Sequence, residues 1–73
     1  MNSADLPSLA HTLRALAKVS RDHATALRKV GEAAGEEMRG RCERRAELAE
    51  RRAEHLEEQA RAAEARSQRG SPT

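Results

Sequence analysis

Leu6, Leu9, Leu13, Leu16, Ser20, His23, Leu27 and Val30 follow one another at alternating steps of three and four. That alternation averages to the period that keeps one row of a helix turned toward a partner helix. A second series repeats the pattern at steps of four and three: Cys42, Ala46, Ala49, Ala53, Leu56, Ala60, Ala63 and Ser67. Ala34 and Met38 join the two series through consecutive steps of four. Leu27 and Ala49 lie 22 residues apart, or two 11-residue repeats, a spacing that holds a stripe on one face without a left-handed supercoil.

The side chains on these series are few and small. The 73-residue chain has 15 Ala, seven Leu, two Val, two Met and one Cys, and no Ile, Phe, Tyr or Trp. A chain this short holds one domain at most and buries a small share of its surface. Twelve modest apolar side chains beyond alanine do not build a globular core that offsets the ordering entropy. The remaining option is an elongated all-α protein. Ala, Arg, Glu and Leu, all strong helix formers, dominate the chain between Pro7 and Gly70. β-branched and aromatic runs are missing, so no β structure is expected.

Helix limits are written at both ends. Asp5, or alternatively Ser3, is a candidate cap, with Pro7 in the first turn. Gly70, Ser71, Pro72 and Thr73 form a stop. The expected organisation is a disordered N-terminus over 1–4, a leucine-rich amphipathic helix over 5–30, a Gly-containing kink or loop over 31–40, an Ala/Arg/Glu-rich helix over 41–68, and a disordered C-terminus over 69–73. Gly31, Gly35 and Gly40 each weaken a helix by about 1 kcal/mol relative to Ala. Two architectures follow: one long kinked coiled-coil helix of roughly 95 Å, or a two-helix hairpin broken near residues 31–40. The absence of Asn, Asp, Ser and Pro between the glycines, and the phase of the seam across them, favour the continuous helix. In the C-terminal half Glu37–Arg41, Glu47–Arg51 and Glu57–Arg61 are spaced as i,i+4 pairs in the favourable orientation.

Charge and reactive groups exclude several functions. The net charge is +2, from 14 basic and 12 acidic residues, too near balance to argue for a nucleic-acid binder by bulk field. His11, His23 and His55 match no helical metal spacing, so no metal or other cofactor is expected. His23, on the seam, is a candidate pH-sensitive register element. Cys42 reads as a small buried hydrophobe, with an interchain disulfide as the alternative in a parallel dimer. No phosphate loop, no assembled nucleophile and base, and no pocket for a perturbed carboxylate is visible, so the chain reads as no enzyme, with no small-molecule substrate. No apolar run spans a bilayer and no signal peptide is visible, which makes cytoplasmic location the expectation.

The expected function is a structural or adaptor role through helix–helix association, either with itself as a homo-oligomer or with a helical partner protein. The candidate interface is Leu6, Leu9, Leu13, Leu16, Leu27, Val30, Met38, Cys42, Ala49, Ala53 and Leu56. Its energetic part is the leucine stripe, so Leu13→Asp or Leu16→Asp should harm association more than Ala60→Asp. The alternative is a basic amphipathic helix that binds an anionic membrane or nucleic acid through Arg14, Lys18, Arg21, Arg28 and Lys29. Missing aromatics weaken both versions, since neither base stacking nor interfacial anchoring has its usual side chain.

The stretch Ala17–Val30 (Ala-Lys-Val-Ser-Arg-Asp-His-Ala-Thr-Ala-Leu-Arg-Lys-Val) resembles a helix of F-BAR membrane-curving domains. In that family a similar stretch has Ala-Lys, an acidic residue, an aromatic, Ala, and then Leu before a basic pair. His23 stands here where the family's aromatic is usual. The resemblance covers 14 of 73 residues, and the family's domain is several-fold longer. It implies a fragment of a dimeric helical module that touches membranes through basic side chains.

Overall fold

The computed structural model describes residues 8–69, which form two helices, α1 (Leu9–Ala33) and α2 (Glu36–Arg69). The helices pair antiparallel as a hairpin, and the described residues contain no strand. Of the two expected architectures the hairpin is the one formed. Its longest dimension is 58 Å, well short of a continuous helix of this length.

Ser8 caps α1. Its backbone is extended, with φ −68° and ψ 159°, and its hydroxyl oxygen accepts the His11 backbone N–H at 3.0 Å. One of the four orphan donors of the first turn is thereby satisfied. α1 as described begins at Leu9. Ser3, Asp5, Pro7 and the interface candidate Leu6 lie outside the described residues, as does the stop over 70–73.

The break is two residues long, not the ten of the expected 31–40 segment. Ala34 closes α1 by donating its N–H to the Gly31 carbonyl at 3.3 Å. Gly35 then takes φ +90°, a value that only glycine adopts without strain. The Gly35 carbonyl already accepts the Arg39 N–H at 2.9 Å as α2 begins. Glu36 and Glu37 occupy the first turn of α2, where their charge complements the helix dipole. One left-handed residue replaces the turn chemistry that Asn, Asp, Ser or Pro would otherwise supply. Gly31 and Gly40 are both helical.

The seam between the helices differs from the expected stripe mainly on α1; on α2 Met38 and Ser67, at the ends of the stripe, are exposed. On α2 the buried residues are Cys42, Ala46, Ala53 and Ala60, with Ala49, Leu56 and Ala63 half-buried, so the second series lies on the seam up to Ala63. On α1 the buried residues are Ala10, Ala17, Ala24 and Gly31. Each stands one position after a member of the leucine series. Leu13, Ser20 and Leu27 are shared by both readings and are half-buried, whereas Leu9, Leu16, His23 and Val30 are exposed. One edge of the seam has moved by one residue while Leu13, Ser20 and Leu27 stay in it, so the helix is turned by about 50°, half of the roughly 100° per residue, relative to the expected face. His23 is accordingly an exposed residue and no register element of this seam.

The physical reason is size. Alanine and glycine let two helix backbones approach to the short end of the usual 8–10 Å range. Close approach multiplies weak dispersion contacts along the whole length. The tightest point is Gly31, where an added Cβ would stand 2.9 Å from Cys42 Cβ and 3.3 Å from Arg39 Cα. Cys42 is a free, buried thiol packed against that glycine. The folded hairpin holds it away from the surface, so the interchain-disulfide alternative has no accessible sulfur here.

Candidate functional site

The helix rotation creates two unlike flanks on either side of the alanine seam. One flank carries a ladder of ion pairs. Arg14, Arg21 and Arg28 follow Ala10, Ala17 and Ala24 by four residues, which sets them along one edge of the seam. Arg14 pairs with Glu64, Arg21 with Glu57, and Arg28 with Glu50 and Glu43. Each step of seven up α1 meets a step of seven down α2, which fixes the antiparallel register.

The ladder has well-formed geometry at its middle. Arg21 Nη1 and Nη2 donate to the two carboxylate oxygens of Glu57 at 2.6 and 2.8 Å, a bidentate fork. Arg28 Nε donates to the Glu43 oxygens at 3.2 and 3.1 Å, while its Nη1 reaches Glu50. The hydrogen bond from Arg28 holds the Glu50 carboxyl below the usual carboxylate range, and that from Arg21 does the same for Glu57. The guanidinium groups of Arg21 and Arg28 are raised in turn by these carboxylates.

This arrangement engages most of the residues expected to touch an anionic surface. Arg14, Arg21 and Arg28 point to glutamates across the seam, and Lys18 pairs with Asp22 at 2.9 Å within α1. Lys29 is exposed. Of the three expected i,i+4 pairs, Glu37–Arg41 and Glu47–Arg51 are present at 3.4 and 4.0 Å. Glu57 turns across to Arg21 instead.

The other flank is apolar and cationic. Leu9, Leu16, His23 and Val30 form its α1 row, and Val19 lies three residues beyond Leu16. On α2 the facing row is Met38, Arg45, Arg52, Gln59 and Arg66, with Leu48, His55 and Ala62 beside it. Leu9, Leu13, Gln59, Ala62 and Arg66 line one shallow groove, which shows the two rows side by side. The six large exposed hydrophobic residues among the described residues fall on this flank: Leu9, Leu16, Val19, Val30, Met38 and Leu48, each between 44% and 63% exposed. No Asp or Glu occupies these rows among the described residues.

The expected interface residues are thus divided between two surfaces. Cys42 and Ala53 are buried in the hairpin seam, and Leu13, Leu27, Ala49 and Leu56 are half-buried there. Leu9, Leu16, Val30 and Met38 form the open flank. The sequence reading does not name Ala10, Ala17, Ala24 and Gly31 or the Glu row, and it assigns Arg14, Arg21 and Arg28 to an anionic surface and not to glutamates of α2. The signal was the recurrence at seven: Ala10, Ala17, Ala24 and Gly31; Arg14, Arg21 and Arg28; Glu43, Glu50, Glu57 and Glu64. Among the described residues there is no His/Cys/Asp/Glu group able to hold a metal ion, and no helix long and apolar enough to cross a membrane. No family model, curated protein or solved structure matches the chain.

Proposed function

We propose that the protein is a non-enzymatic helical module whose task is to bind another helix along its apolar flank. The observation that carries this reading is the gathering of the large exposed hydrophobic residues, among the described residues, onto one side of the hairpin. Scattered surface leucines are ordinary, whereas a contiguous apolar row marks an association surface. The row also has the geometry of a helix site. Leu9, Leu16 and Val30 recur in multiples of seven on α1, and Met38, Arg45, Arg52, Gln59 and Arg66 do so on α2. Two antiparallel helices with such rows present a straight groove into which a third amphipathic helix lays its own apolar stripe.

Binding of the hairpin to a membrane or nucleic acid through Arg14, Arg21 and Arg28 is a weaker reading, because those side chains pair with glutamates of α2. The test is sedimentation equilibrium and circular dichroism of the full chain, with and without an amphipathic helical peptide. Leu9→Asp and Leu16→Asp should abolish association with the helicity of the hairpin retained. Association that survives both substitutions overturns the reading.

A further inference from the structure

We propose that the occupant of the apolar flank is a carboxylate-bearing amphipathic helix of a different protein, and not a second copy of this chain. The inference rests on the reading of that flank as a helix-binding surface and adds the chemistry of the helix it takes. The argument is one of charge complementarity. Arg45, Arg52 and Arg66 stand at seven- and fourteen-residue intervals along α2, beside the row of Leu9, Leu16 and Val30. All three are exposed, and none has an ion-pair partner among the described residues. The contrast with the opposite flank is complete: there every row arginine meets a glutamate of the same hairpin. The α2 glutamates Glu43, Glu50, Glu57 and Glu64 all face that ladder.

A closed dimer of two identical chains uses the same patch on both subunits. A two-fold dimer through this flank would bring two sets of Arg45, Arg52 and Arg66 together with no carboxylate on either side. Like charges brought together in a shrinking aqueous gap oppose docking. A helix with leucines along one stripe and Asp or Glu on its edges meets the requirement from both directions. Its stripe covers Leu9, Leu16 and Val30, and its carboxylates reach the guanidinium forks, which suit bidentate pairing. The heptad spacing of the arginines favours a helix over an anionic bilayer. A planar surface asks for no spacing along the groove, and the flank lacks the Trp and Phe that anchor helices at lipid interfaces.

The experiment uses the full chain and two synthetic helical peptides with the same leucine stripe, one flanked by Glu and the other by Lys. Fluorescence anisotropy of labelled peptide reads binding. The Glu peptide should bind at least about tenfold more tightly than the Lys peptide, and added salt should narrow the gap. Arg45→Gln with Arg52→Gln should weaken the Glu peptide severalfold and leave the helicity unchanged, since both side chains are exposed. Equal binding of both peptides, abolished by Leu16→Asp, overturns the acidic-partner inference and leaves the helix-binding reading standing. A dimer of the chain alone that Leu16→Asp dissociates has the same consequence, with a second copy as the occupant. Failure of both peptides to bind a chain that stays monomeric overturns the helix-binding reading itself. Capture by phosphatidylserine-containing vesicles without peptide binding overturns the proposal in favour of lipid.

Discussion

The two surfaces of α1 that compete for a partner are a row of alanines ending in glycine and a row of leucines and valine. By transfer free energy the leucine row is the stronger, since each leucine removes far more apolar area from water than an alanine. Yet Ala10, Ala17, Ala24 and Gly31 face α2, while Leu9, Leu16 and Val30 remain exposed. The surface facing them explains the choice. The α2 seam is itself alanine at Ala46, Ala53 and Ala60, so the two helices can interlock closely only if α1 also presents small residues. Turning α1 to bury its leucines would push the backbones apart. It would also pull Arg14, Arg21 and Arg28 out of register with Glu64, Glu57 and Glu50. Close packing and the ion-pair ladder act together on one rotation of the helix. The hydrophobic row is left for something outside the hairpin.

A charge placed in the alanine seam has the largest expected effect on the hairpin. Ala60→Asp or Ala53→Glu should unfold the hairpin by more than about 4 kcal/mol, because both positions are fully buried. The leucine stripe alone ranks Ala60→Asp as milder than Leu16→Asp. The structure reverses that order for folding, and thermal melts followed by circular dichroism check it.

Gly31→Ala is the next largest effect. Its Cβ would stand 2.9 Å from Cys42 Cβ, so overpacking of about 1–3 kcal/mol should outweigh the gain of about 1 kcal/mol in helix propensity. Cys42→Gly in the same chain should recover part of the loss, and a double-mutant cycle on melting curves reads that coupling. Gly35→Ala meets no atom within 4 Å and acts only through its φ of +90°. It should destabilise the hairpin by about 1–2 kcal/mol with no coupling to Cys42, as determined from the same melts.

Acid should loosen the ladder flank and spare the leucine flank. Glu50 and Glu57 have carboxyls lowered by Arg28 and Arg21 in the folded state. A lowered folded value means that the folded chain holds the charged form more firmly than the unfolded chain does. The stabilisation is therefore present above the ordinary glutamate value of about 4.3 and is lost as pH falls through the lower folded value. Melting temperature should fall below about pH 4, and Arg21→Gln with Arg28→Gln should flatten that fall. The smallest effect belongs to the exposed row: Leu16→Ala should shift hairpin stability by less than about 0.5 kcal/mol. A loss comparable with that of Gly31→Ala would mean that the leucine row, and not the alanine row, holds the hairpin together.

Much of this was legible beforehand. The α2 seam is the one read from its four-and-three spacing, since Cys42, Ala46, Ala53 and Ala60 leave no competing stripe on that helix. On α1 two stripes one residue apart share Leu13, Ser20 and Leu27, and hydrophobicity alone favours the leucine stripe over the alanine stripe that packs on α2. The hairpin stands beside the continuous helix as one of two readings of the sequence, because phase alone carries the seam straight through Gly31, Gly35 and Gly40. Phase is a property of neighbours along the chain and says nothing of a single left-handed residue.

Helix propensity and composition account for an all-α fold with too few large side chains for a globule, a glycine-containing break and an alanine-lined second helix. Those are consequences of helix propensity and of side-chain volume, both local. Only the tertiary structure decided that the chain folds back on itself, that the break is Gly35, and that the leucine row stays outside. These depend on how near two backbones can come, which is settled jointly by Gly31 against Cys42 and by arginines and glutamates many residues apart. No local signal ranks one face of α1 above the other until α2 lies against it.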